Sequence, residues 1–294
     1  MFKIAGHTMG TPERTVVEAI KMFGEIGLDG AEIVVQNDYY SGIPYDASPE
    51  LLQEIKDAAE EAGISIVCLT PYYSRYNNLD DSVRDAEIQG LKKVVDYAAF
   101  LGAGCIRIYG GEYMADEKDE TGEKHRRLVE AMRECGDYAA QFGVTLVIEN
   151  HFNTMCVTAK QDADTLREIN HPNVGALYDQ PNLIFMGAEP CEVAIPEFGK
   201  LIKHVHAKDL VFKEQIVQFA ASCVSHPTDS ERNVISKVVG QGITPWPTIL
   251  RLLTEQGYTG WLSLEYERRW YPDQLPDAAI GMKESADYLR SICP

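Results

Sequence analysis

The feature that most constrains this chain is a repeat of form rather than of letters. A short run rich in Ile, Val and Leu is followed by an amphipathic stretch, often a glycine, and then another apolar run. Such runs occur at Phe2–Gly6, Ala31–Val35, Ser65–Leu69, Cys105–Tyr109, Val144–Ile148, Val174–Tyr178, Leu201–Val205 and Trp261–Leu264. They do not alternate cleanly with polar residues, which is how parallel strands covered on both faces read. The stretches between them carry helix signals. VVEAIKMFGEIG follows Thr11-Pro12, and SPELLQEIKDAAEEAG begins with Ser48 and Pro49, a cap and a first-turn proline. Helical stops are expected at Leu28-Asp29-Gly30, Gly63, Gly102-Ala103-Gly104, Gly143 and Gly257, where glycine accepts a left-handed conformation at no steric cost.

Alternating β and α units imply a parallel sheet. Eight units in 294 residues, with no composition break wide enough for a linker, predict an α/β fold. The expected form is a closed (β/α)8 TIM barrel, one domain over 1–294. The competing arrangement is an open doubly wound sheet, which often carries G-x-G-x-x-G after its first strand; here that place reads GHTMGTPE. One segment breaks the rhythm. Residues 208–242 run KDLVFKEQIVQFAASCVSHPTDSERNVISKVVGQG, a long loop after strand seven, and loops of that length are usually binding segments or surface insertions.

In a parallel barrel all eight strands point their C-terminal ends at one face, where such folds keep their chemistry. His7 follows the first strand and Pro71, Tyr72 and Tyr73 the third, while Arg107 and Tyr109 belong to the fourth. Glu149, Asn150 and His151 follow the fifth, Asp179 and Asn182 the sixth, His206, Lys208 and Asp209 the seventh, and Glu265 and Glu267 the eighth. Strands five to eight therefore each deliver one oxygen or imidazole group: Glu149, Asp179, His206 and Glu265. A lone carboxylate after a strand is often a helix cap or a loop ion-pair partner. Four on consecutive strands can converge, and three carboxylates with an imidazole repel one another without a cation. The set makes an O3N site for a divalent metal ion such as Mn2+, Mg2+ or Co2+. His151 is the best candidate acid or base outside the ligand set. Lys208 can meet a substrate oxygen or phosphate, or pair with Asp209. Arg107 can meet substrate or pair with Glu149 inside the barrel. Tyr72, Tyr73 and Trp270 offer flat surface for a sugar, His7 and Asn182 are further contact candidates, and His125, His171 and His226 receive no role.

The stretches VIENHFNT, NVGALYDQPNL, LIKHVHAKDL, GQGITPWPTIL and GYTGWLSLEYE, in that order, resemble the xylose-isomerase-like TIM-barrel superfamily and, within it, the sugar phosphate isomerase/epimerase group. The resemblance covers most of the chain and is most specific over 144–270. It implies a Glu, Asp, His, Glu set holding a divalent metal, commonly manganese, at Glu149, Asp179, His206 and Glu265, with the two glutamates transferring protons. The sequence departs from ketose epimerases of that superfamily, which carry a glutamate, a histidine and an arginine where Met155, Asn182 and Phe212 stand. It also departs from endonuclease IV, whose extra histidines have no counterpart in CLTPYYS or CIRIYGG.

Composition narrows the partners. A formal charge of −18 argues against nucleic acid as a partner, since such binders present basic surfaces. No apolar run approaches the roughly 18 residues of a membrane span, and MFKIAGHTMG has no secretory apolar region. Seven scattered cysteines without a C-x-x-C pair read as reduced thiols in a cytoplasmic protein. The expectation is a metal-dependent isomerase or epimerase acting on a small carbohydrate, a sugar, sugar phosphate or keto-polyol, by deprotonation next to a carbonyl. Its resemblance to the group implies a homo-oligomer, dimer or tetramer. The nearest alternative is a lyase of the same barrel, a keto-inositol or 3-keto-sugar dehydratase. An endonuclease IV-like hydrolase and a non-catalytic sugar-binding protein are more remote.

Overall fold

The computed structural model describes residues 2–213 and 221–293. Strands β1 (Lys3–His7), β2 (Gly30–Val35), β3 (Ser65–Pro71), β4 (Cys105–Tyr109), β5 (Thr145–Glu149), β6 (Val174–Tyr178) and β7 (Ile202–Ala207) come in chain order. They are followed by a short pair, β8 (Asp209–Phe212) and β9 (Val234–Lys237), and finally by β10 (Trp261–Leu264). The barrel closes in the order β1-β10-β7-β6-β5-β4-β3-β2, every pairing parallel. Around it run helices α1 (Val16–Glu25), α2 (Pro49–Ala62), α3 (Asp81–Leu101), α4 (Glu123–Ala140), α5 (Ala159–Ile169), α6 (Gln180–Met186), α7 (Cys191–Phe198), α8 (Trp246–Glu255) and α9 (Ala278–Ser291). This is the expected (β/α)8 fold.

Local chemistry moves some expected boundaries. Helix α1 starts at Val16, where VVEAIKMFGEIG begins, because Thr15 and Glu18 form a reciprocal capping box. It is released by Gly27 (φ 80°), while Gly30 opens β2 as a strand residue. Helices α5, α6 and α7 lacked a clear signal in the sequence: α6 and α7 are seven and eight residues long, and α5 depends on a Thr158–Gln161 capping box. The segment expected as a loop over 208–242 is partly a hairpin, with β8 and β9 pairing antiparallel from Asp209↔Lys237 to Phe212↔Val234. Residues 214–220 of that segment lie outside the described residues.

The core has two zones. Between strands and helices lies a continuous apolar layer that includes Ile33, Ile106, Ile148, Leu166 and Leu250. Inside the barrel the apolar filling is confined to Ala5, Val67, Cys68, Cys105, Val147 and Leu177, closed by Trp261. Above that plug the interior is polar: His7, Glu32, Arg107, Glu149, Asp179 and His206 are each at most 1% exposed. Burying a leucine-sized side chain is worth about 1.5–3 kcal/mol, whereas an unpaired buried charge costs more than that. A polar layer of this size persists only if its members pair with one another or hold an ion.

Asp162, in the first turn of α5, is an exception. It is fully buried with no nitrogen or oxygen donor on either carboxylate oxygen, and burial, opposed by the Cys156 thiol, pushes its carboxyl well above the usual range. A raised folded-state pKa makes the native state hold its proton more tightly than the unfolded chain, so this stabilising term is full below the ordinary carboxylate pKa and is lost as pH rises through the folded value. Asp162→Asn is therefore expected to gain on wild type between pH 5 and 8, by on the order of 1–3 kcal/mol at the upper end. Urea titrations at several pH values check this; a stability difference independent of pH contradicts it.

Candidate metal centre and its cleft

The four strand-end groups come together. Glu149 is the last residue of β5, Asp179 directly follows β6, His206 lies in β7 and Glu265 directly follows β10. His206 Nδ1 stands 3.4 Å from Glu265 Oε2, 3.5 Å from Glu149 Oε1 and 3.8 Å from Asp179 Oδ2. One ligand atom from each of the four lies within 4.8 Å of every other. Asp179 divides its work: Oδ1 caps α6 by accepting from Asn182 N at 2.9 Å, and Oδ2 accepts no hydrogen bond but has the Lys208 ammonium 3.0 Å away. His206 Nδ1 likewise has no hydrogen-bond partner. A buried imidazole nitrogen without a hydrogen-bond partner, facing three carboxylates, is a donor set suited to a hard divalent cation.

Charges at the site point the same way. Burial pushes the Asp179 carboxyl up; Lys208 opposes that, Glu265 and Glu149 add to it, and it settles at about 7. Burial also raises Glu149, but the Arg107 guanidinium, with the His206 and His151 rings adding to it, outweighs burial and brings that carboxyl to about 2. Arg107 Nε donates to Glu149 Oε2 at 2.5 Å and its guanidinium lies 3.7 Å over the Tyr109 ring. Asn182 Nδ2 donates to Glu149 Oε1 at 3.0 Å. Lys208 Nζ reaches Glu265 Oε2 at 2.5 Å and Asp179 Oδ2 at 3.0 Å, with Glu267 Oε1 at 3.6 Å. The alternative Lys208–Asp209 pairing is not formed. Asp209 instead accepts from the backbone N–H groups of Leu210, Gly240, Gly242 and Thr244, pinning the return from the β8–β9 hairpin.

Beneath the four ligands sits a residue that the sequence reading left without a role. Glu32, in β2, accepts from His206 Nε2 at 3.1 Å, from His204 Nε2 at 2.9 Å and from the Thr70 hydroxyl, with His7 Nε2 at 3.4 Å. A carboxylate can only accept, so His206 carries its proton on Nε2 when neutral and presents Nδ1 as a lone pair. Glu32→Gln replaces that acceptor with an amide of the same shape and is expected to weaken Mn2+ binding about 10–100-fold. Titration calorimetry reads this directly, and unchanged affinity would remove Glu32 from the account.

The remaining candidates fall into two groups. His151 lines the cleft above the ligands, packed against Tyr109 and Phe152; its Nδ1 donates to the Phe152 carbonyl at 3.0 Å, which leaves Nε2 as the lone-pair atom. Burial depresses its pKa to about 4, so the ring is neutral near pH 7. Lys208, Arg107, Asn182 and Trp270 line the same cleft. Tyr72 packs beside Met9, Tyr39 and Trp270. His7 does not line the cleft: it is fully buried, accepts from Met9 N at 3.0 Å and turns toward Glu32. Tyr73 stacks on Tyr45 at 4.7 Å and does not line the cleft either. His226, given no role from the sequence, stacks its ring flat on Trp270 at 3.8 Å in the cleft wall. Arg232 was also missed; it pairs with Glu267 and lies 3.8 Å over Tyr271. Both sit in the polar stretch 221–233, where no periodicity marks them.

A family profile described as xylose isomerase-like TIM barrel matches residues 20–292. Among curated proteins, the inosose dehydratase of Clostridium botulinum is 28% identical over 162 residues, 55% of this chain and 51% of that protein. The chain thus aligns with about half the length of such relatives. Among solved structures, a xylose isomerase-like TIM barrel protein from Mycobacterium smegmatis in complex with magnesium superposes with a TM-score of 0.75 at 17% identity, covering 99% of this chain and 96% of that one. The 3-keto-D-glucoside 4-epimerase of E. coli superposes at 0.72 with 16% identity, covering 99% and 100%.

Proposed function

The chain belongs to the xylose isomerase-like TIM barrel family, and on that premise we propose that it is a divalent-metal-dependent enzyme. Its substrate would be a small keto-sugar or keto-polyol, deprotonated at the carbon next to the carbonyl. The observation that carries the reading is the convergence of Glu149, Asp179, His206 and Glu265, with His206 Nδ1 buried without a hydrogen-bond partner among the three carboxylates. A divalent cation held there, Mn2+ or Mg2+ in class, supplies Lewis-acid stabilisation of the negative charge that develops on the carbonyl oxygen. The Mg2+ complex of the mycobacterial barrel supports a cation of that class.

The protein's own groups do the positioning and the proton transfer. Arg107 and Asn182 fix both oxygens of Glu149, while Lys208 fixes Glu265 from the opposite side of His206. One of the two carboxylates takes the proton from carbon; the other, or neutral His151, returns a proton or holds a hydroxyl. Trp270 and His226 make a flat wall against which a sugar ring packs. The cations Arg107, Lys208 and Arg232 are each already balanced by a carboxylate. That balance favours an unphosphorylated substrate.

Isomerisation or epimerisation returns the proton to carbon. A second reading, elimination, loses a β-hydroxyl as water after the same deprotonation, and it is favoured by the match to an inosose dehydratase and by Met155, Asn182 and Phe212 at the epimerase positions. Incubating the Mn2+-loaded protein with keto-sugars and inososes in D2O separates the two. Deuterium incorporation without water loss identifies isomerisation or epimerisation, and an α,β-unsaturated ketone identifies elimination. Absence of both across the panel, with metal bound, contradicts the proposal.

A further inference from the structure

Beneath the carboxylate site the barrel holds a second set of ligating side chains of different chemistry. Cys68 in β3 and Cys105 at the start of β4 are partners in strand register. His204, in β7 on the opposite side of the barrel, reaches across to meet them. Cys68 Sγ, Cys105 Sγ and a His204 ring nitrogen all lie within 4.8 Å of one another. The three are 0%, 9% and 1% exposed and are embedded in the apolar plug of Ala5, Val67, Val147 and Leu177. The sulfurs face each other and the imidazole: Cys105 shares hydrogen bonds with Cys68 and with His204, while the nearest backbone acceptors are longer contacts, 3.6 Å from Cys68 Sγ to the Leu69 carbonyl and 3.4 Å from Cys105 Sγ to that of Val67. His204 Nε2 is committed to Glu32 Oε2 at 2.9 Å, which leaves Nδ1 as the ring nitrogen available to a metal ion.

We propose that Cys68, Cys105 and His204 form a second metal site, selective for a soft or borderline divalent ion of the Zn2+ class and distinct from the hard carboxylate site above it. Two thiolates and one imidazole are ligands that such an ion selects over Mg2+ or Mn2+. The charge also fits the location: two thiolates neutralise a divalent ion, so the complex adds no net charge to an apolar layer that would tolerate none. Glu32 orients the ligating histidine through its other ring nitrogen, as carboxylates do behind metal-bound imidazoles. The same Glu32 also holds His206, so one carboxylate positions an imidazole for each site.

Co2+ added to chelator-stripped, reduced, full-length protein tests this, because cobalt bound to thiolate gives an intense near-ultraviolet charge-transfer band that carboxylate and imidazole ligation does not. The expected result is one equivalent of cobalt with that band, bleached stoichiometrically by Zn2+. The band should persist in Asp179→Asn, which removes an upper ligand, and in Cys223→Ser, which removes the partly exposed thiol near His226. It should vanish in Cys105→Ser and Cys68→Ser. If those variants do not fold, zinc-edge X-ray absorption of the wild-type protein should count two sulfur neighbours. A reduced wild-type protein without the band overturns the proposal, as does a band that survives loss of Cys105, or a disulfide between Cys68 and Cys105 in the protein as isolated. The upper site contributes no sulfur, so failure here leaves the proposed activity standing, and failure of that activity leaves this site standing.

Discussion

Glu265→Gln is expected to lower kcat/KM on the keto-sugar or inosose substrate by on the order of 10³-fold, about 4 kcal/mol of transition-state stabilisation, while the barrel stays folded. The variant removes one charge from the ligand set and one proton acceptor without changing shape. Its amide oxygen can still accept from Lys208, which now holds Glu265 Oε2 at 2.5 Å. Glu149→Gln is expected to lose as much activity but to cost stability as well. Glu149 Oε2 faces Arg107 Nε and Oε1 faces Asn182 Nδ2, both donors. Whichever way the amide turns, its own donor meets one of them, and a mismatched buried pair costs about 1–3 kcal/mol. Steady-state kinetics beside thermal unfolding separates the two variants. Activity retained within a factor of ten in Glu265→Gln would rule out a chemical role for that residue.

Arg107→Met is expected to destabilise the metal-free protein by about 3–5 kcal/mol, the cost of removing one partner of a buried ion pair. Arg107 is 1% exposed and Glu149 fully buried, so no solvent replaces the lost guanidinium. Loss of the Tyr109 stacking contact adds about 1 kcal/mol. The size of the defect should depend on the cation. With Mn2+ saturating, Glu149 regains a positive neighbour, and the deficit against wild type should shrink by more than half. Urea unfolding with chelator and with Mn2+ measures both numbers. An equal deficit in the two conditions would mean that Glu149 does not face the bound ion.

How much of this was legible in the sequence follows from strand periodicity. The eight apolar runs predicted the barrel, because the faces of the strands that pack under helices are apolar and mostly Ile, Val and Leu. The four ligands were legible because each sits at or just beyond the end of its run, where a polar residue stands out. The polar layer inside the barrel was not. Glu32 and His204 lie within β2 and β7, and a single acid or imidazole in an apolar run does not reveal which face it takes. Period two does reveal it afterwards: His204, His206 and Lys208 point inward together, as do Cys105, Arg107 and Tyr109. His7 was read from its place at a strand end, yet its Nδ1 accepts from Met9 N where the chain turns back, which draws the ring down toward Glu32. The contribution of His226 depends on Trp270, 44 positions later in the chain, and no local pattern connects them.

The central claim is that Glu149, Asp179, His206 and Glu265 share one hard divalent ion, and Mn2+ binding followed by electron paramagnetic resonance tests it most directly. Mn2+ avoids thiolates, so only the carboxylate site should report. The wild-type protein should immobilise one equivalent of Mn2+, and Asp179→Asn and Glu265→Gln should each abolish or greatly weaken that binding while remaining folded. Mn2+ that stays free in the wild-type protein, or binds the two variants with unchanged affinity, contradicts the account.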